Sequence, residues 1–146
     1  MGQIHLTRQT AGSQRMPLPF PIMIYSIKRF LRFAAWVAAG GLALASWTPA
    51  QDMIRTGANG LLEHTAAYLI TGVAFMMAYD HRPPWHFALA LSIYAALLEM
   101  GQMIAPGRHA GILDWAAGMI GAAGAAAVMI ASRILMKRSA GGDSNR

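Results

Sequence analysis

Residues 99–114 read EMGQMIAPGRHAGILD, and how this stretch is taken decides the fold. Glu99 stands near the end of a long apolar run, and Gln102 follows three residues later on the same helical face. Ala105-Pro106-Gly107-Arg108 then breaks the helix and places a cation. Asp114 opens the next apolar run as its expected N-cap. Each of these polar groups is expensive in or beside hydrocarbon. The apolar runs on either side are therefore read as membrane helices that house them.

Working outward, the upstream run starts at Trp85 and His86 and continues to Ala105. Its length of about 21 residues matches the roughly 20 needed to cross a bilayer core. The downstream run goes from Asp114 to about Ile134, with Gly118, Gly121, Ala125 and Val128 forming a small-residue stripe. Such a stripe lets another helix approach closely: helix 2, helix 3 or a second copy of the chain. Before Trp85, adjacent Pro83 and Pro84 force a turn. A further apolar run precedes that turn, from Leu61 to Tyr79, and carries Glu63, His64, Tyr68 and Thr71. His64, Tyr68 and Thr71 share one helical face.

The first apolar run spans Phe33 to Pro49, extended by Phe30 and Leu31 and preceded by Lys28, Arg29 and Arg32. Ala43-Leu44-Ala45 has the form of a signal-peptide cleavage site, but Trp47 also suits the interfacial end of a retained helix. The retained helix is the preferred expectation, because it completes an even, paired bundle. Residues 1–24, with Pro17, Pro19 and Pro21, are expected to be a disordered tail, and Met23 or Met16 is an alternative start. Met-Gly at the N-terminus is no myristoylation signal, since Leu6 stands where Ser or Thr is needed. Residues 25–136 form the expected transmembrane domain, and 137–146 a polar, disordered tail. The fold class is all-α: a polytopic membrane protein built as a four-helix transmembrane bundle.

Composition agrees. The chain is 55% hydrophobic and 12% charged, against about 25% charged in soluble domains. Mean hydropathy is +0.38. There is no cysteine, which excludes disulfides and thiolate metal sites. The net charge of +6 does not point to nucleic acid, because the basic residues lie mostly outside the apolar runs. With four spans, ten of the 12 Lys and Arg residues fall on one side, leaving Arg55 and Arg108 on the other. The positive-inside rule then puts both termini in the cytoplasm of a bacterial inner membrane. Glu63, His64, Glu99, Gln102, Arg108 and Asp114 converge on the extracytoplasmic half, and no comparable set is expected on the cytoplasmic half.

His64-x-x-x-Tyr68 opening one helix, Glu99-x-x-Gln102 closing the next, then Pro106-Gly107-Arg108 and Asp114 before a Gly-rich helix, together resemble the VanZ-like family of small bacterial membrane proteins. The likeness covers roughly residues 59–124. It implies a multi-pass membrane protein of the cell envelope, in a family named for a member associated with glycopeptide (teicoplanin) resistance.

Three functions are compatible with the polar set. The first is binding: His64, Tyr68, Glu99, Gln102, Arg108 and Asp114 would form an extracytoplasmic site that binds or senses a lipid or cell-wall headgroup. Arg108 suits phosphate or carboxylate, and Gln102 and Tyr68 suit a sugar or peptide. Membrane lipids, a lipid-linked wall precursor or a glycopeptide are the expected partners, with a homo-oligomer through the Gly/Ala face of helix 4 as a further option. The second is a small hydrolase or transferase acting on a lipid-linked substrate, with His64 and Glu99 or Glu63 as acid and base. No Ser or Cys nucleophile stands in a recognisable motif, and one His with carboxylates is a weak metal signal. No cofactor or metal is therefore expected, and the enzyme is disfavoured. The third is a scaffold, in which the polar groups only lock the helices together.

His81, His86 and the four tryptophans, Trp36, Trp47, Trp85 and Trp115, read as interfacial or lipid-facing residues.

Overall fold

The computed structural model describes residues 20–49, 59–104 and 111–142. They form four helices: α1 (Phe20–Trp47), α2 (Gly60–Ala78), α3 (Pro84–Gln102) and α4 (Ile112–Gly142). Among the described residues there is no strand. The fold is an all-α four-helix bundle, as the apolar runs require.

Local chemistry sets most of the boundaries. Asn59 caps α2, its side-chain oxygen accepting the Leu61 N–H at 3.0 Å. Pro84 opens α3 at the first helical position, where a missing N–H costs nothing. Three boundaries differ from the sequence expectation. α1 begins at Phe20, so the segment 20–24 is helical; Pro21 falls in the first turn, which tolerates it. α4 continues to Gly142, so the expected disordered tail is helical over residues 137–142, and 143–146 lie outside the described residues. Nothing between Lys137 and Ala140 breaks a helix, and the chain first meets paired glycines at Gly141. Finally, Asp114 is not the N-cap of α4. The Gly111 carbonyl accepts the N–H groups of Asp114 and Trp115 at 3.0 Å each, which puts Asp114 in the first turn.

The helices form a ring in the order α1, α2, α4, α3, and α1 and α4 do not touch among the described residues. The most extensive pairing is α2 with α4, two parallel helices: Gly121 meets Thr65 and Tyr68, and Gly72 meets Ala125. A Cβ on Gly72 would lie 2.7 Å from Ala125 Cβ, and one on Gly121 would lie 2.9 Å from Tyr68 Cβ. Gly118 touches both Tyr68 and Ala95, so it also serves the contact with α3. The small-residue stripe of α4 is thus occupied within the chain, mainly by α2. Of the stripe, only Val128 remains exposed.

The core is thin, built around Tyr68, Leu91, Ala95 and Ala122 near one end and Ala35, Ala39 and Phe75 near the other. Large apolar side chains instead point outward, among them Phe33, Leu44, Ile70 and Ile120. α1, α2 and α4 are each long and apolar enough to cross a membrane. α3 matches α2 in length at 19 residues and exposes Leu89, Ile93, Leu97 and Met100 along one face. A face of that kind is stable only against lipid or another apolar surface. The protein is an integral membrane protein.

Candidate functional site

One end of the bundle gathers the finish of α1 and α3 and the start of α2 and α4. Glu99 lies here in the last turn of α3, only 5% exposed. Its Oε1 accepts a hydrogen bond from Gln102 Nε2 at 3.2 Å. Its Oε2 accepts the Gly111 backbone N–H at 2.9 Å. Gly111 immediately precedes α4, so Glu99 ties the end of one helix to the start of the next. Burying a carboxylate is tolerable only with such donors. Gln102, equally buried, owes its place to the three-residue spacing that puts it on the same face.

α2 brings His64 and Tyr68 to the same place. His64 Nε2 stands 3.9 Å from Glu99 Oε1, and the two rings of His64 and Tyr68 have centroids 5.1 Å apart. Both His64 Nε2 and the Tyr68 hydroxyl are buried and have no hydrogen-bond partner among the described residues. Tyr68 is fully buried, its ring held over Gly118. Thr71, on the same face, donates to the Ala67 carbonyl at 2.8 Å and so serves its own helix. Glu63 lies in the first turn of α2, one residue before His64.

The expected site therefore assembles in part. His64, Tyr68, Glu99 and Gln102 come together. Asp114 reaches the edge of the group, because its carboxylate turns back against Gly111, where a Cβ would lie 2.9 Å from Oδ2. Arg108 lies outside the described residues, as does His109. The described partners of Glu99 are Gln102 and a backbone N–H. Sequence reasoning missed the Gly111 N–H because a backbone donor leaves no side-chain signature. It also missed two contacts that brace the site. Trp47 covers Gly101, where a Cβ would meet its indole nitrogen at 2.7 Å, and Trp115 Nε1 donates to the Ser92 carbonyl at 3.3 Å. Trp115 is thus an interhelical strut, whereas Trp36, Trp47 and Trp85 are more than half exposed.

Chemically, the group offers one engaged carboxylate and two uncommitted polar atoms. The His64–Glu99 separation exceeds the roughly 2.6–3.2 Å of a working acid–base contact. Among the described residues, no three His, Asp or Glu side chains are grouped closely enough to hold a metal.

The opposite end carries a polar set of its own, which corrects the expectation that only one half does. Lys28 Nζ meets both carboxylate oxygens of Asp80, at 3.1 and 3.0 Å. Arg133 donates to the Asp80 carbonyl at 3.0 Å. The Arg32 guanidinium lies 5.2 Å from the centre of the Tyr79 ring, and Trp36 Nε1 donates to the Tyr79 hydroxyl at 3.3 Å. The hydrogen bond from Lys28 holds the Asp80 carboxyl below the usual carboxylate range. These partners stand more than 40 positions apart in the chain, so no local spacing announces them.

No protein-family model, no curated protein and no solved structure matches this chain.

Proposed function

We propose that this membrane protein binds the polar headgroup of an amphiphile at the Glu99 end of its bundle. The observation that carries the proposal is the pair of buried atoms, His64 Nε2 and the Tyr68 hydroxyl, that have no partner among the described residues, beside a carboxylate already fixed by Gln102 and Gly111. Buried polar atoms ordinarily find a partner, and leaving one without costs about 1–3 kcal/mol. A headgroup rich in hydroxyls or amides would complete both, since each atom can donate or accept. In the reading that follows from the charge distribution, this end faces outward from a bacterial inner membrane with both termini cytoplasmic. The sugar–peptide part of a lipid-linked wall precursor, or a glycopeptide, then has the right chemistry and the right side. The resemblance to VanZ-like proteins supports the same envelope setting.

The scaffold reading rests on a different observation: both Glu99 oxygens are engaged, Oε1 by Gln102 within α3 and Oε2 by the Gly111 N–H that ties α3 to the start of α4. One experiment separates the two. Tyr68→Phe removes a hydroxyl that bonds to nothing among the described residues, so the melting temperature of the detergent-extracted protein should hold or rise. Binding of a polyprenyl-diphosphate disaccharide-peptide, titrated by intrinsic fluorescence, should weaken about tenfold, the size of one lost hydrogen bond. A wild-type protein that binds neither this probe nor a teicoplanin-type glycopeptide would leave the scaffold as the better account.

A further inference from the structure

A groove of about 960 Å³ opens at the other end of the molecule, between α1 and α3 and over the last turns of α2. That volume is at the upper end of the range for ligand sites, about 300–1,000 Å³. Its walls are apolar, with Ala39 and Gly40 on α1 facing Ala90 and Leu91 on α3. Small residues make the room: a Cβ placed on Gly40 would meet nothing within 4 Å.

The rim is cationic. Arg32 and Arg82 line it, with His81 and His86 beside them. Stacking on Tyr79 holds the Arg32 head at the level of the α2–α3 turn, where the helices leave hydrocarbon. Among the described residues the only carboxylate at this end is Asp80, and Lys28 is bonded to both of its oxygens. The rim therefore keeps an excess of positive charge.

We propose that this groove is a docking site for an anionic phospholipid. One acyl chain lies along Ala39, Gly40 and Leu91, and the phosphate meets Arg32 and Arg82. The occupant follows from the setting and the charge. A groove between membrane helices opens onto acyl chains, and basic pockets at the membrane surface select anionic headgroups. Arginine adds a planar fork that matches phosphate. This site stands apart from the Glu99 end, and neither proposal rests on the other.

The test uses the whole chain in a mild detergent. Equal amounts of dioleoylphosphatidylglycerol and dioleoylphosphatidylcholine are added, and the lipids retained are counted by native mass spectrometry. The wild-type protein should retain the anionic lipid over the zwitterionic one about tenfold or more, because two cations favour a headgroup of net negative charge over one whose phosphate is already offset by choline. Arg82→Gln alone should reduce that preference, and Arg32→Gln with Arg82→Gln should abolish it. Gly40→Leu fills open space, so it should keep the melting temperature and lose both lipids. The proposal falls if the wild type retains the two lipids equally, or if Gly40→Leu still holds them. It also falls if inorganic phosphate displaces the lipid, or if the groove proves to hold a second copy of the chain, seen as a lipid-free dimer that Gly40→Leu converts to monomer.

Discussion

Gly121 shows how much one hydrogen atom can decide in this bundle. A Cβ there would press on Tyr68 Cβ at 2.9 Å and the Leu69 backbone nitrogen at 3.0 Å, with the Thr65 carbonyl oxygen closer still. Two of those neighbours are backbone, so α2 itself would have to move. Gly121→Ala should lower the stability of the detergent-extracted protein by about 1–3 kcal/mol, the usual cost of overpacking. Gly41→Ala is the matched control: its Cβ meets nothing within 4 Å. It should stabilise by up to about 1 kcal/mol, the helix-propensity difference. Equal effects at both positions would refute the close α2–α4 approach. Asp80 offers a second test at this scale, with a definite sign. Its folded pKa is lowered by the hydrogen bond from Lys28, so the contribution is complete above the unfolded value of about 3.9. It is lost as pH falls through the lower folded value. The pair is largely exposed, which limits its worth to about 0–1 kcal/mol. Asp80→Asn should therefore destabilise slightly at pH 7 and have no effect near pH 2, measured by thermal melts. A difference that grows on acidification would mean that Lys28 does not hold this carboxylate.

At the scale of the elements, each helix was announced by its apolar run, and the turn between α2 and α3 by Pro83 and Pro84. Those signals are local: length, hydropathy and missing N–H groups act on the segment that carries them. Boundaries were less legible where no breaker stands. The end of α4 ran on past Lys137 because solvent and helix propensity there favour nothing else, and α1 absorbed Pro21 in its first turn. The partners of each helix were least legible. The stripe Gly118, Gly121, Ala125 says that something approaches closely, but a stripe fits any neighbour; Tyr68 and Gly72 identify it only once the helices are placed. The candidate site divides the same way. Glu99 and Gln102 were readable because residues three apart on one helix must share a face. His64 and Tyr68 were readable as polar groups on one face of an apolar helix. The Gly111 N–H and the Trp47 cover over Gly101 were not, since one is backbone and the other joins positions 54 apart. The Lys28–Asp80–Arg133 clasp was hidden for the same reason, which is why only one polar end was expected.

For the whole molecule, helix lengths and charge constrain how the bundle sits in a bilayer. α2 and α3, at 19 residues, are each about 28 Å long, close to the hydrocarbon thickness. α4, at 31 residues, is about 46 Å, so its last turns must project beyond the core. The projecting turns carry Lys137 and Arg138, and Arg133 meets Asp80 at the same end. The N-terminal half of α1, with Lys28 and Arg32, lies there too. The Glu99 end is thereby assigned to the opposite face of the membrane. Because the chain has no cysteine, single substitutions report its topology without background. Ser139→Cys and Ile104→Cys place thiols at exposed positions on the two ends. In intact bacterial cells expressing the protein, a membrane-impermeant maleimide should label position 104 and spare position 139 until the membrane is broken. Labelling of 139 alone would invert the bundle, move the Glu99 group to the cytoplasmic side and remove wall precursors from its reach. Labelling of both in intact cells would contradict the bundle's placement across the membrane.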